Sequence, residues 1–235
     1  MRFGSMVAAL AGACLVAGCA DDNAASSQAN MAANRATASP VVAAAEKNDD
    51  RPIILAFGDS LYAGYNLPQD QGFAPELERA LAARKLVYRV YNAGVSGDTT
   101  ATGRARLAFA LDGLGVKPAL VLVGLGGNDM LRGLRPEETR ANLAAILDEL
   151  KRRQIPAMLT GMLASPNMGA DYAAQFNPIY PELARQYGVP LYPFFLDGVA
   201  DNPGLKLPDG IHPNEAGIDA IVAKVAPKVA DSVTG

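Results

Sequence analysis

The run Ile53-Ile54-Leu55-Ala56-Phe57-Gly58-Asp59-Ser60-Leu61 joins an unbroken apolar stretch to a glycine, an acid and a hydroxyl. An apolar run too short for a helix and closed by glycine reads as a strand buried on both faces. Such a strand needs cover on each side, and the rest of the chain has the matching parts. Comparable runs stand at residues 87–91, 119–125, 157–160 and 189–192, roughly 30 to 40 residues apart. Helical patterns lie between them. Phe73, Leu77, Ala80 and Leu81 share one face. Leu143, Ile146, Leu147 and Leu150 recur at i, i+3, i+4 and i+7, with Glu137 and Glu138 ahead of them and Lys151, Arg152 and Arg153 behind. That charge order suits the helix dipole. Ile218, Ile221, Val222 and Val225 mark a final helix, which Pro227 is expected to kink or end. Alternating strands and helices predict an α/β fold, an open three-layer sandwich around a mostly parallel sheet of about five strands. Sites in such sheets form at the carboxyl ends of the strands.

The composition suits a globular enzyme or binding domain. Of 235 residues, half are hydrophobic and 19% are charged, with a net charge of −3. A mildly acidic chain with no basic cluster is a poor nucleic-acid partner. Neither cysteine lies beyond residue 19, so the rest has no disulfide framework and no thiolate metal site.

The first residues read differently. Arg2 gives a positive start, residues 6–17 are apolar and small, and Leu15-Val16-Ala17-Gly18-Cys19 follows. The apolar stretch is too short to span a membrane and fits the core of an export signal. Small residues before a cysteine resemble the bacterial lipobox, in which Cys19 would become the lipidated first residue of the mature protein. A plain signal peptide cleaved nearby is the other reading. Residues 20–50, rich in Ala, Asn, Ser, Asp and Gln, read as a flexible tether. The expected organisation is a lipoprotein signal at 1–18, lipidated Cys19 and tether at 19–50, and one domain at 51–235. That places the protein in the cell envelope, held to a membrane through lipid.

At the strand ends each candidate has an ordinary reading. Ser60 by itself suits a helix N-cap. Asn92-Ala93-Gly94-Val95-Ser96-Gly97-Asp98-Thr99 suits a strand-to-helix turn capped at Asp98 or Thr99. In Gly126-Gly127-Asn128-Asp129 the Asn128 amide is either an Asx-turn or a donor to an oxyanion. His212 is the only histidine, which excludes a polyhistidine metal site. It lies in Pro208-Asp209-Gly210-Ile211-His212-Pro213-Asn214, just before the last helix. Asp209, three residues ahead on the same short loop, can reach the ring nitrogen that faces away from a nucleophile.

Gly-Asp-Ser-Leu at 58–61, Ser-Gly-Asp-Thr at 96–99, Gly-Gly-Asn-Asp at 126–129 and Asp-Gly-Ile-His-Pro at 209–213 together resemble the four blocks of the SGNH (GDSL) hydrolases. They stand in family order, and the resemblance covers roughly residues 52–232. Leu131-Arg132-Gly133 and Ile179-Tyr180-Pro181 look like the thioesterase I/lysophospholipase L1, or arylesterase, group of that family. The resemblance implies the flavodoxin-like SGNH fold. It implies Ser60 as nucleophile, His212 as base and then acid, and Asp209 as its orienter. The Ser60 and Gly97 N–H groups and the Asn128 amide would form the oxyanion hole. The chain order Ser, Asp, His also suits α/β-hydrolases, but no Gly-x-Ser-x-Gly surrounds Ser60. The implied reaction is acyl transfer to water through an acyl-enzyme, with no metal and no cofactor.

Met130, Leu131 and Leu134 after the third strand, and Met162, Leu163 and Met168 after the fourth, are candidates to bind an acyl chain; core packing is the alternative for each. Arg132 reads as a solvated surface residue. The implied substrates are carboxylic esters or thioesters of acyl chains, small esters or lipids, with esters such as aryl esters and lysophospholipids favoured for an exported enzyme. Two alternatives stay open: a carbohydrate or cell-envelope O-acetyl esterase, and a non-catalytic binding lipoprotein.

Overall fold

The computed structural model describes residues 49–234. The export signal, Cys19 and the tether up to residue 48 lie outside the described residues. Five strands form one sheet: β1 (Ile53–Gly58), β2 (Arg89–Gly94), β3 (Leu120–Gly124), β4 (Ala157–Thr160) and β5 (Leu191–Tyr192). Their order is β2-β1-β3-β4-β5, and every pairing is parallel. The helices are α1 (Ser60–Ala63), α2 (Phe73–Ala83), α3 (Thr100–Asp112), α4 (Gly127–Leu131), α5 (Pro136–Arg152), α6 (Ala170–Phe176), α7 (Ile179–Tyr187) and α8 (Glu215–Thr234). The sheet grows one way from β1 to β2 and the other way from β3 to β5. Right-handed crossovers therefore lay helices on opposite faces. By contact, α2 pairs with α8, and α3 and α7 flank α5. All residues of β1 and β4, and Leu120 to Val123 of β3, are buried, as a sheet covered on both sides requires.

Two strand bounds need correcting, and of the two outcomes expected at Pro227 the helix end is not the one taken. β2 begins at Arg89, and Val87 is 63% exposed. β5 is only two residues long. Pro227 does not end α8, which continues to Thr234. Pro227 and Ala223, whose carbonyl loses its helical donor, both face solvent, while Val225, Ala226 and Val229 are buried. Water can satisfy that carbonyl, and the buried stripe keeps the helix docked on both sides of the proline.

The register sets the ends of three strands level. Gly58 pairs with Gly94 on one side and with Gly124 on the other. A Cβ on Gly58 or Gly124 would strike the Tyr62 ring, and one on Gly94 would strike the backbone of Tyr62 and Ala63. The glycine row is thus the seat on which α1 lies. Gly94→Ala is expected to cost about 1–3 kcal/mol, because backbone rather than a flexible side chain must move. Urea unfolding measures the loss, and an unchanged midpoint would show that α1 has room to shift.

Candidate active site

Ser60 is the first residue of α1, set over the glycine row. The cap is Asp59, whose carboxylate accepts the Leu61 N–H at 3.0 Å. Gly64, at φ 76°, ends the turn with its N–H on the Ser60 carbonyl. Asp59, rather than Ser60, therefore meets the capping need, and the Ser60 hydroxyl is left for another partner.

That partner comes from far along the chain. Leu207 N–H donates to the His212 carbonyl at 2.8 Å, and Lys206 bridges Pro213. Asn214 accepts the Gly217 N–H at 3.0 Å and donates to the Gly204 carbonyl at 2.9 Å. The loop before α8 is thereby closed on itself. Asp209 Oδ1 accepts the backbone N–H groups of Ile211 (2.8 Å) and His212 (3.0 Å). Asp209 Oδ2 lies 2.7 Å from His212 Nδ1, and His212 Nε2 lies 2.8 Å from Ser60 Oγ. Partial burial alone would raise the Asp209 carboxyl. The His212 and Ile211 N–H groups, with the His212 ring, outweigh it and hold the carboxyl at about 2. An ionised carboxylate only accepts, so Nδ1 carries the ring proton and Nε2 offers its lone pair to Ser60. Tyr65 lies along the ring, with centroids 4.3 Å apart.

The other strand ends converge here. Gly97 has φ 85°. Thr99 caps α3 with a capping box completed by Thr102. The Asn128 amide donates to the Asp98 carbonyl at 3.0 Å, and Arg132 donates to the Gly97 carbonyl at 2.8 Å. Buried Asp129 accepts from the Thr100 N–H at 2.8 Å and from the Thr139 hydroxyl at 3.2 Å, tying α4 to α3 and α5. A cleft of about 350 Å³ brings Ser60, Gly97, Asn128 and His212 together with Tyr65, Met130, Leu131, Met162, Leu196 and Ile211. The bonded pair Ser60 and His212 thus stands at the edge of a largely apolar hollow. A wider depression of about 500 Å³ lies among Leu111, Val116, Lys117 and Arg153, and no such pair lines it.

Residues 56–220 match the model of the GDSL-like Lipase/Acylhydrolase family. The chain belongs to this family. It is an SGNH-type hydrolase that acts on ester bonds. Esterase TesA of Pseudomonas aeruginosa is 40% identical over 174 residues, which is 74% of this chain and 86% of the relative. Thioesterase 1/protease 1/lysophospholipase L1 of Escherichia coli (strain K12) is 39% identical over 161 residues, 68% of this chain and 75% of the relative. The solved structure of AlinE4, an SGNH-hydrolase family esterase, aligns with TM-score 0.67 at 49% identity, covering 80% of this chain and 99% of that one.

In this SGNH hydrolase the candidates for acyl binding divide. Met130, Leu131 and Met162 line the cleft. Leu134, Leu163 and Met168 are not among its lining residues. The chain turns at Gly133 (φ 62°), and the next residue, Leu134, gives its carbonyl to the Tyr172 hydroxyl. Met168 packs against the core, and Leu163 is 43% exposed. Tyr65, Leu196 and Ile211 line the cleft and were not singled out from the sequence. Ile211, next to His212, was the one with a local signal.

Asp59 carries a second consequence. Burial, aided by the charges of Asp98 and Asp129 and opposed by the Leu61 N–H, pushes its carboxyl up to about 7. The folded state then keeps a proton that the unfolded chain loses near pH 4. Stability from this group is full below about pH 4 and falls as pH rises toward 7. Asp59→Asn keeps a good cap and removes the titration. Its melting temperature relative to the parent is expected to climb between pH 4 and 7 and then level off. A difference constant across that range would contradict the raised value.

Proposed function

We propose that Ser60, His212 and Asp209 form a catalytic triad that hydrolyses esters and thioesters of acyl chains, including aryl esters and lysophospholipids, through an acyl-enzyme. The observation that carries this reading is the pair of contacts on His212, 2.8 Å to Ser60 Oγ and 2.7 Å to Asp209, at the edge of an apolar cleft. Ser60 Oγ attacks the carbonyl carbon as its proton passes to His212 Nε2. The tetrahedral oxyanion is met by the Ser60 and Gly97 N–H groups and the Asn128 amide. His212 returns the proton to the departing alcohol or thiol. Water, deprotonated by the same nitrogen, then attacks the acyl-enzyme and releases the acid. Asp209 keeps the ring oriented and stabilises the imidazolium. Met130, Leu131 and Met162 hold the acyl chain, and Tyr65 and Ile211 stand beside the imidazole.

The test is a series of p-nitrophenyl esters from acetyl to palmitoyl, with Ser60→Ala as blank. A maximum at medium or long chains supports the acyl-chain reading. A sharp maximum at acetyl points to an O-acetyl esterase, and no rate above the blank removes the catalytic assignment.

The same reading places the enzyme in the cell envelope, anchored through lipidated Cys19. Among the described residues no helix is long and apolar enough to cross a membrane. Cys19→Ser is expected to move the protein from the membrane fraction to the soluble fraction and to end incorporation of labelled fatty acid.

A further inference from the structure

Arg106 stands outside the four motif blocks, on α3, yet its guanidinium touches the turns that carry the oxyanion donors. Its Nε donates to the Asp98 carboxylate at 2.5 Å, and Nη2 donates to the Gly58 carbonyl at 3.0 Å. Its plane covers the Phe57 ring, with Cζ 4.2 Å from the centroid. Gly58 is the last residue of β1, immediately before Asp59 and Ser60, and its carbonyl also accepts the Val95 N–H at 3.0 Å. Asp98 directly follows Gly97, and its own carbonyl accepts the Asn128 amide at 3.0 Å. One planar cation is therefore bonded to the strand end that presents Ser60 and to the residue beside Gly97. Through Asp98 it reaches Asn128. The Arg106 and Asp98 side chains are only 21% and 10% exposed, so water is a poor substitute for either partner.

We propose that Arg106 is a positioning residue for the oxyanion site, fixing the spacing of the Ser60, Gly97 and Asn128 donors. This rests on the role given to those donors above. Oxyanion donors act by being in place before charge develops, and a displacement of about 1 Å can cost on the order of a hundredfold in rate. The site needs arginine in particular. Two N–H groups of one rigid fork serve two segments while its planar face lies over an aromatic ring, a combination that a lysine ammonium, with no planar face, does not reproduce. α3 passes close to the residue after β3 at Gly103, where a Cβ would meet the end of the Leu125 side chain.

The test compares Arg106→Lys, Arg106→Ala and Asn128→Ala with Arg104→Lys, a change on the exposed side of the same helix. It reads kcat and KM on a p-nitrophenyl ester, the melting temperature, and the inhibition constant of an alkyl boronic acid. The boron accepts Ser60 Oγ, whose proton passes to His212, and the tetrahedral adduct places an oxygen toward the donors. Both Arg106 variants are expected to lose roughly 10- to 100-fold in kcat with KM within about twofold, and boronate inhibition should weaken in step. Guanidinium added at millimolar concentration should restore part of the rate of Arg106→Ala and none of that of Ser60→Ala. Arg104→Lys should match the parent. A folded Arg106→Lys with parental kcat and boronate affinity overturns the inference, as does a loss that follows only the fraction of unfolded protein. If Asn128→Ala loses activity while Arg106→Lys does not, the positioning role alone fails. If neither loses activity, the oxyanion reading itself fails.

Discussion

Ser60→Ala is expected to lower kcat/KM on any accepted ester by on the order of 10⁴- to 10⁶-fold, and His212→Ala by a similar factor. Alanine at position 60 keeps the turn, since Asp59 rather than Ser60 caps α1, so the loss should come without unfolding. It should also come mostly in kcat, because the cleft walls are untouched. The two changes remove parts of one proton-transfer unit, with Nε2 2.8 Å from Oγ. Their combination should therefore cost about as much as either alone. Single-turnover measurements on the two single variants and the double variant decide this. Multiplying losses would mean that Ser60 and His212 act independently, which the proposed mechanism forbids.

Asp209→Asn carries the second large effect, expected at about 10⁴-fold in kcat by analogy with other triads. Two backbone N–H groups converge on Oδ1, and an amide oxygen can still accept both, as weaker neutral hydrogen bonds. The NH₂ would then face Nδ1 as a donor and favour the tautomer that places the ring proton on Nε2, against Ser60. Geometry should survive while the base is lost, so the melting temperature should move little. Since the Asp209 carboxyl is held at about 2, it stays ionised through the range in which imidazole titrates. The acid loss of parental activity should therefore carry no step from Asp209 above pH 4. A step in that range that vanishes in Asp209→Asn would contradict the depressed value.

Local patterns carried much of this structure into the sequence. The run at residues 157–160 is β4 as observed, and Leu143, Ile146, Leu147 and Leu150 are all buried on α5. The blocks around Ser60, Asp209 and His212 were legible because each rests on neighbours: Asp209 reaches His212 across three residues of one loop. What escaped depends on contacts between segments. Val87 looked like strand because it is apolar beside β2, but hydrophobicity alone does not tell an exposed valine from a buried one. Gly58, Gly94 and Gly124 each end a recognisable run, yet only the register makes them a row. Arg106 bonds to Asp98 and to Gly58, which is 48 residues away, and no periodicity marks it. Of the Met and Leu candidates, those on the cleft side of Gly133 line the hollow, while Leu134 just beyond it does not. A left-handed turn redirects side chains in a way that composition does not record.

Ser60 and His212 are separated by 152 positions, and the histidine loop is closed by bonds to the start of α8. That helix is the last described element of the chain, and it docks on α2, which follows the first strand. A chain formed in order, from its first residue to its last, would have its sheet complete while the proposed base was still missing. Hydrolysis would begin only when the final helix locks onto the second. On the proposed mechanism catalytic output is thus a signal that folding has finished, and a partly assembled molecule would meet esters without cutting them.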